Sequence, residues 1–358
     1  MHHPVSLSLS VRFVRACLLF GLSILWGLPH AALAEGTKVH LESLATNKLP
    51  HLRAYVSVVD VDGKPIRSKG GFKLQMDGNT LTDLDIKVQS FAESKEPMDV
   101  MVVVQVSSVM KDGLGPAKTG ITKLAKTLAK IPESRIGVIS YSTEYKKLEN
   151  LGRPNEVARE LDRLKIDEDA TETQMLDAVR VAIDLLRESV GKRKLVVLFS
   201  DGIDAAATKD SFEQVGKKAR DVGVGIATIG FGPYEPGRLR GLIEMSKAAG
   251  STARGSKNAG DILRFFDQLV DEIISTHVVT FGLTQSGDGQ QHVFTVLFRS
   301  GKDDLVSEPF TVSSLPQFEP ADPAGWPWYF WVMAIAGGIL GLVILLAIVG
   351  SLLGPKQR

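Results

Sequence analysis

The chain has 358 residues, with 42 lysines and arginines against 41 aspartates and glutamates and a formal net charge of +1. Such a balance offers no reason to expect nucleic-acid binding, which normally needs a basic face. The single cysteine, Cys17, lies in an N-terminal apolar segment, which excludes disulfides, thiolate metal sites and cysteine nucleophiles from the rest of the chain.

The first 34 residues have the pattern of a secretory signal peptide. Arg12 and Arg15 precede an apolar run, and Ala32-Leu33-Ala34 ends the segment with small residues at the positions that a signal peptidase reads. We expect cleavage after Ala34, the alternative being an uncleaved signal anchor. Removal of the two arginines leaves 40 basic against 41 acidic residues, a formal charge of −1.

A small β domain is predicted in two halves. Residues 35–53 are polar and aperiodic, which predicts a flexible lead-in. Residues 54–97 alternate between apolar and polar side chains, and Asp77-Gly78 is a hairpin turn signal. The alternation returns in residues 275–312, followed by a proline-containing stalk at 313–325. Neither half has enough strands to bury a core, so we expect them to pair into one sandwich.

Residues 98–274 between the two halves predict an α/β domain. Apolar runs such as 100–106 and 195–199 are typical of strands that are buried on both faces. Stretches with helical spacing separate them. Strands are predicted at 100–106, 135–141, 195–199 and 224–229, and helices at 116–130, 154–164, 173–187, 211–222, 236–249 and 261–274. This alternation indicates a doubly wound, mostly parallel, Rossmann-like sheet.

The C-terminal segment predicts one transmembrane helix at 326–353. Its core is long enough to span a bilayer, and aromatic residues crowd its N-terminal end. Lys356 and Arg358 lie in the tail 354–358, which the positive-inside rule assigns to the cytoplasm. We therefore expect a single-pass protein of the cell membrane with its main domain outside the cytoplasm, in the periplasm if the cell is Gram-negative. Gly337 and Gly341 have the spacing at which two such helices pair closely, so a homodimer is one expectation.

Polar residues follow the predicted buried strands of the α/β domain. Gln105, Ser107 and Ser108 follow the first strand, Thr173 begins a helix, and Asp201 follows the strand at 195–199. Ligands of open α/β sheets bind outside the carboxyl ends of the strands. We therefore predict that these side chains form one protein-binding edge. Ser107 and Thr173 have a simpler alternative as helix N-caps.

These segments resemble a von Willebrand factor A (VWA) domain. The resemblance rests on Ser107 and Met110 after an apolar strand, the helix start from Thr173 to Ala178, and the strand end Ser200-Asp201-Gly202. It covers about residues 98–274. It implies a six-stranded Rossmann-like sheet, binding of a protein ligand and, in many members, a divalent ion at a metal-ion-dependent adhesion site.

The sequence departs from the ion-site motif of that family. Gln105 stands where the motif has an aspartate, and Val109 stands where it has a second serine. Only Ser107, Thr173 and Asp201 match. One carboxylate and two hydroxyls are a poor set for Mg²⁺, which wants six oxygen ligands and carboxylate charge. We therefore expect no cofactor, with Mg²⁺ or Mn²⁺ at Ser107, Thr173 and Asp201 as the alternative.

The sequence predicts a membrane-anchored binding or scaffolding protein that is not an enzyme and that docks another extracytoplasmic or membrane protein. A metal-dependent adhesin with a variant ion site is the second hypothesis. A membrane-bound hydrolase that uses Ser107 is the third. The four histidines after residue 34, none near the predicted edge, offer Ser107 no evident base.

Overall fold

The computed structural model describes residues 37–46, 49–170, 172–208, 211–232, 238–284 and 287–317. The predicted signal peptide, transmembrane helix and cytoplasmic tail lie outside these ranges. Among the helices within them, none is both long and apolar enough to cross a membrane.

The N-terminal part of the structure is a series of strands. They are β1 (Lys38–Ala45), β2 (His51–Val59), β3 (Phe72–Met76), β4 (Asn79–Thr80) and β5 (Asp85–Ser90), followed by a short helix α1 (Phe91–Ser94). Asp77 and Gly78 both have positive φ, 51° and 79°, in the turn that joins β3 to β4. This backbone twist suits a two-residue hairpin loop.

The segment 35–53 differs from our prediction, because β1 and the start of β2 lie in the part that we expected to be a flexible lead-in. β1 pairs antiparallel with β2 along its length, and its side chains are largely buried. Its sequence, KVHLESLA, contains polar residues that are buried and paired in the structure, so neither apolar content nor alternation marked it as a strand. The pairing partner, which sequence periodicity does not show, stabilises it.

The central unit alternates strands and helices. Its strands are β6 (Met98–Gln105), β7 (Arg135–Tyr141), β8 (Tyr145–Gly152), β9 (Arg193–Ser200), β10 (Val224–Phe231) and β11 (Ala253–Ser256). Its helices are α2 (Lys111–Leu128), α3 (Val157–Asp162), α4 (Met175–Arg187), α5 (Ser211–Asp221), α6 (Arg238–Ala248) and α7 (Ala259–Ser275). The sheet order is β11-β10-β9-β6-β7-β8, with β8 antiparallel to β7 and the other pairs parallel.

Helices cover both faces of this sheet, which is why β6 and β10 are buried at every position. α2, α3 and α7 pack on one face, and α4, α5 and α6 pack on the other. Gly120 in α2 allows α7 to approach closely, because a Cβ at this position would overlap the ring of Phe266. Apolar packing on two faces fixes the directions of the strands and hence the edge at which their carboxyl ends meet.

The chain returns to the small β unit after α7. β12 (His277–Gly282), β13 (His292–Ser300), β14 (Asp303–Val306) and β15 (Phe310–Val312) complete two sheets, ordered β1-β2-β12-β5 and β14-β13-β3-β4, with β15 on β13. The two sheets share one apolar core, which includes Leu41, Leu52, Leu74, Phe281, Phe294 and Phe298. The segments before and after the central unit therefore form a single sandwich.

Buried charges join the sandwich to the central unit. Glu42 of β1 accepts two hydrogen bonds from the guanidinium of Arg193 at the start of β9, at 2.8 and 2.9 Å, and both residues are almost fully buried. Arg193 also donates to the carbonyl of Ile273 and to Thr276 Oγ1. Burial raises the pKa of Glu42, and the neighbouring Arg193 partly offsets this effect. The pair is fully hydrogen-bonded, so it fixes how the two units meet.

A charged triad lies at the end of the sandwich where β13 begins. His292 Nδ1 lies 2.6 Å from Asp77 Oδ2, and its Nε2 lies 2.9 Å from Asp288 Oδ1. These hydrogen bonds raise the pKa of His292. Two hydrogen bonds lower the pKa of Asp77: the larger effect comes from the backbone N–H of Val293 and the smaller one from His292. His292 also lowers the pKa of Asp288. The triad is therefore most stable when the imidazole is charged and both carboxyls are ionised.

Candidate functional site at the carboxyl edge of the central sheet

Four segments meet where the strands of the central sheet end. We call segments 106–112, 142–144, 165–174 without residue 171, and 201–208 together the rim. The N–H of Asp167 donates to the carbonyl of Val106 at 2.7 Å, and the N–H of Gln174 donates to that of Ser142 at 3.0 Å. The segment before α4 is thus held against the ends of β6 and β7, and the predicted site residues share one edge.

Gln105 is the hub that connects the rim segments. Its side chain is fully buried, and Nε2 donates to Ser107 Oγ at 2.8 Å. Its Oε1 accepts from the backbone N–H of Asp201 at 2.8 Å and from the hydroxyls of Tyr141 and Ser200, both at 3.2 Å. One carboxamide therefore links the ends of β6, β7 and β9.

The orientation of this carboxamide follows from its partners. The backbone N–H of Asp201 can only donate, so Oε1 must face it and Nε2 must face Ser107. Burial raises the pKa of Tyr141 well above its ordinary value, and the carboxylates of Asp201 and Asp204 add to this, so its hydroxyl stays protonated and donates. The side of Gln105 that faces Ser107 therefore presents N–H donors.

Thr173 and Asp201 lie together on the other side of the rim. Thr173 Oγ1 donates to the carbonyl of Ile203 at 2.7 Å, and the N–H of Ala205 donates to the carbonyl of Thr173 at 3.1 Å. Asp201 Oδ1 accepts from the N–H of Ile203 at 3.0 Å. Both side chains are buried, and both are tied to the loop that follows β9.

Part of the central unit matches a known sequence family. Residues 100–203 match the family model described as the von Willebrand factor type A domain. This part of the central unit belongs to the von Willebrand factor A family. The match extends from β6 to the loop after β9 and so includes Gln105, Ser107, Thr173 and Asp201.

Solved structures with VWA domains are similar to the chain at low sequence identity. BatB, a conserved hypothetical protein from Bacteroides thetaiotaomicron, is 14% identical, with 49% of this chain and 98% of that chain covered and a TM-score of 0.40. The vWF domain of the type V pili tip protein Mfa5 from Porphyromonas gingivalis is 13% identical, with 50% and 95% covered and a TM-score of 0.40. A von Willebrand factor type A protein from Catenulispora acidiphila is 10% identical, with 78% and 73% covered and a TM-score of 0.42. No curated protein sequence matches the chain significantly.

The outer surface of the VWA rim carries exposed side chains. Ser108 begins a 3-10 turn and is exposed. Val109 and Ile203 are apolar and expose 41% and 37% of their surface. The backbone N–H of Ile203 donates to Asp201 Oδ1. Val109 and Asp201 both lie near Gly232, since a Cβ added to this glycine would lie 3.4 Å from Asp201 Cβ and 3.8 Å from Val109 Cγ1.

Neither Ser107 nor Thr173 uses its side chain as a helix cap. Ser107 precedes the 3-10 turn, but its hydroxyl makes no capping hydrogen bond. The N-cap residue of α4 is Gln174, and its side chain makes no capping hydrogen bond either. Asp204 supplies that cap instead, because its Oδ2 accepts from the N–H of Leu176 at 2.7 Å. Ser107 therefore occupies an N-cap position without a side-chain capping bond, and Thr173 is not the N-cap residue of α4.

The VWA rim does not fit a tightly bound Mg²⁺. Nε2 of Gln105 directs donors at Ser107, where a cation would need acceptors, and Val109 offers no oxygen. Asp204, a further carboxylate on the same loop, is occupied by the backbone N–H groups of Leu176 and Ala206. Within the described ranges, no group of three or more His, Cys, Asp or Glu side chains is placed to hold a metal.

The described histidines all lie in the β-sandwich, away from the rim. His40 is on β1, His51 on β2, His277 on β12 and His292 on β13. Ser107 Oγ instead contacts the carboxamide of Gln105, which is no base. A Ser-His-Asp arrangement therefore does not form around Ser107 among the described residues.

Sequence reasoning missed two structural residues of the VWA site. Tyr141 and Ser200 hold Gln105 in place. Tyr141 ends a strand that was predicted at its observed bounds, whereas Ser200 lies one residue beyond the predicted end of its strand. Their position, as the last residue of β7 and of β9, was the available signal. What the sequence lacked was the in-register pairing of Gln105 with Tyr141 across two parallel strands.

Proposed function

We propose that this chain is a membrane-anchored, extracytoplasmic protein that binds another protein through the rim of its VWA domain. The observation that carries the proposal is the rim itself, where a buried hydrogen-bond network supports the exposed Ser108, Val109 and Ile203. A surface on rigid strand ends keeps its shape before the partner arrives, which lowers the entropy cost of binding. The signal-like N-terminus and the apolar segment 326–353 support the anchored topology.

We propose further that the rim binds its partner without a metal ion and carries out no catalysis. In support of this, Gln105 holds the position that the ion-site motif gives to an aspartate, and it satisfies four hydrogen bonds there. Ser107 has no histidine beside it in the described part of the chain. A scaffold that binds its partner through direct contacts needs neither a metal ion nor a catalytic histidine.

Site-specific photocrosslinking in native membranes tests the binding edge. A benzophenone amino acid at Val109 is expected to crosslink to a defined protein, and the same probe at Glu188, beyond the end of α4 on the opposite edge, is expected not to. Equal crosslinking at both positions would show that the rim is not the docking edge. Loss of the Val109 crosslink in EDTA would favour the metal-dependent adhesin.

Isothermal titration with Mg²⁺ and Mn²⁺ tests metal independence separately. We expect no binding with a dissociation constant of about 1 μM or below, which would correspond to a binding free energy of about −8 kcal/mol or stronger. Micromolar binding that disappears in Asp201→Asn would refute metal independence without affecting the docking proposal. Activity toward ester substrates that is lost in Ser107→Ala would refute the non-enzymatic proposal.

A further inference from the structure

A cavity of about 840 Å³ lies where the sandwich meets the central unit. The first residues of β1, the end of β14 and most of β11 line it together. Each of these strands is at the edge of its own sheet, so three sheet edges open on one cavity. An edge strand has backbone N–H and C=O groups on its outer side with which another chain can pair. The cavity therefore joins a concave surface to backbone that is open to pairing.

The register of β11 shows which of its backbone groups point outward. Thr228 of β10 lies opposite Ala253, and its N–H donates to the carbonyl of Thr252 at 3.1 Å. In a parallel pair such a residue bonds to the two neighbours of the residue opposite, so Arg254 faces β10 with its backbone N–H. The N–H and C=O groups of Ala253 and Gly255 then point away from β10. Both of these residues line the cavity.

The edge of β11 is open in the described part of the chain, whereas the other two edges are protected. The charged side chain of β11, Arg254, is largely buried and pairs with Glu272 at 2.7 Å, so it does not guard the edge. β14 begins with two exposed aspartates, and charge of this kind discourages the addition of a further strand. β1 is covered at its centre, where the guanidinium of Arg220 donates to the carbonyl of Leu41.

Apolar side chains surround the same cavity. Val61 in the turn after β2, Ile243 on α6 and Val306 on β14 line it, and each exposes more than half of its surface. The charges of the lining nearly cancel. Its cationic residues are Lys38, Lys247, Arg254 and Arg264, with His40 beside them, and its anionic residues are Asp60, Asp62 and Glu308. The cavity therefore offers backbone pairing and apolar contact, and almost no net charge.

We propose that the cavity binds an extended segment of a partner protein, which adds as a strand to the free edge of β11. The backbone of the segment pairs with Ala253 and Gly255, and its apolar side chains, at every second position, cover Val61, Ile243 and Val306. The occupant is extended because a helix satisfies its own backbone groups and has none to offer an open edge.

The surface is separate from the one assigned to the rim. Among the residues that line the cavity, none belongs to the rim segments. The added strand contacts the sandwich and the central unit together, since residues of both line the cavity. The proposal thus adds a second docking surface with its own recognition chemistry, and it stands or falls independently of the rim.

An end-blocked peptide of alternating valine and threonine tests the proposal on the full chain in zwitterionic lipid nanodiscs, with empty nanodiscs as the blank. Fluorescence anisotropy is expected to show binding whose affinity changes less than about twofold between low and high salt, because the lining is nearly neutral. Two further peptides carry N-methyl groups, one on its valines and the other on its threonines. A strand that adds to one edge uses the N–H groups of every second residue, so only one of these two peptides is expected to bind.

Four variants locate the binding. Ala253→Pro removes an outward N–H at the first residue of an edge strand, where proline is tolerated, and is expected to weaken binding about tenfold. Ala253→Gly keeps the N–H and is expected to stay within about twofold of the native affinity. V61T/V306T makes two side chains of the cavity polar and is expected to weaken binding about tenfold, whereas V190T changes an exposed valine outside the cavity and is expected to have no effect. Circular dichroism of each variant checks that the fold is intact.

Several results would overturn strand addition at this cavity. One is the absence of binding by the unmethylated peptide, and another is binding by both or by neither of the methylated peptides. Equal weakening by Ala253→Pro and Ala253→Gly would show that the outward N–H is not used. Equal weakening by V61T/V306T and V190T would show that the peptide does not lie in the cavity.

Discussion

The substitution Gln105→Glu tests the hub of the rim, because it changes charge and almost nothing else. Oε1 of the introduced glutamate can still accept from Asp201, Tyr141 and Ser200, and its Oε2 takes the place of Nε2 beside Ser107. A serine hydroxyl donates as well as accepts, so Ser107 can turn to donate to the new oxygen. The hydrogen bonds are kept, and what is added is a buried carboxyl near Asp201.

The magnitude follows from burial. Full burial raises the pKa of a carboxyl by up to about 3 to 5 pH units, and each unit corresponds to about 1.4 kcal/mol. The hydrogen bonds that the carboxylate accepts act in the opposite direction, so the ionised variant is expected to be less stable by up to about 4 kcal/mol. A carboxyl whose pKa is raised in the folded state costs nothing below its ordinary pKa of about 4.3, and the cost grows as the pH rises toward the raised value. For a domain of this size the melting temperature should fall by up to about 8 to 16 °C at pH 8 and very little at pH 4.

Thermal unfolding at a series of pH values, with and without Mn²⁺, measures this effect. The variant is expected to regain stability in Mn²⁺ at pH 8, because the introduced glutamate and Asp201 together would supply two carboxylates. The native protein, with Gln105, is expected not to respond. Gln89→Glu on β5 is the matched control, since Gln89 is exposed and its substitution should change neither curve. Equal melting temperatures of the Gln105 variant at pH 4 and pH 8 would refute the argument, as would a native protein that Mn²⁺ stabilises equally.

Three further predictions concern the frame around the rim. Gly120→Ala should destabilise the protein by about 1 to 3 kcal/mol, because the new methyl group overlaps the α7 side chain packed on it. Thr119→Ala in the same helix changes an exposed side chain and should alter stability by less than about 1 kcal/mol, so equal shifts in the urea midpoints of the two variants would contradict this prediction. Arg193→Met should lower the free energy of unfolding by about 3 to 5 kcal/mol, because it leaves Glu42 buried without its cationic partner, and adding Glu42→Met should recover part of that loss. A double-mutant cycle measures the coupling, and strictly additive effects of the two substitutions would argue against it. His292→Gln should flatten the dependence of the free energy of unfolding on pH above pH 6. The raised pKa of the histidine stabilises the native protein fully below its ordinary pKa, and this stabilisation is lost as the pH rises through the raised value. A native protein whose stability is already constant from pH 6 to 8 would count against the triad.

The sequence predicted the α/β domain well because its signals are local. β7 was predicted at its observed bounds, and β6, β9 and β10 were predicted to within about two residues, since strands covered on both faces are apolar throughout. Two edge strands were not predicted. β8 reads YKKLENLG, with charged side chains on its exposed positions, and β11 has four residues of mixed polarity. Edge strands depend on a neighbour for their pairing, and a single sequence does not show which neighbour that is.

The rim, too, was predicted from the sequence only in part. The positions of Ser107, Thr173 and Asp201 after strands and before a helix indicated a shared edge, because parallel strands end on one side of a sheet. The sequence did not reveal that the carboxamide of Gln105 occupies the centre of that edge. Nor did it reveal that the side chain of Asp204 caps α4. Both roles depend on distances across segments that are up to about a hundred residues apart.

By itself, then, the amino-acid order determined the buried strands and the helices of the central unit, how they alternate and which residue types follow each buried strand. These properties depend on side chains within a few positions of one another. Only the tertiary structure decided that Gln105 faces Asp201, Tyr141 and Ser200 with its oxygen and Ser107 with its nitrogen. It also decided that Val109, after β6, and Asp201, after β9, both lie near Gly232 at the end of β10. The physical reason is that a hydrogen bond or an exposed patch is set by the packing of several strands at once, and that packing has no local signature in the chain.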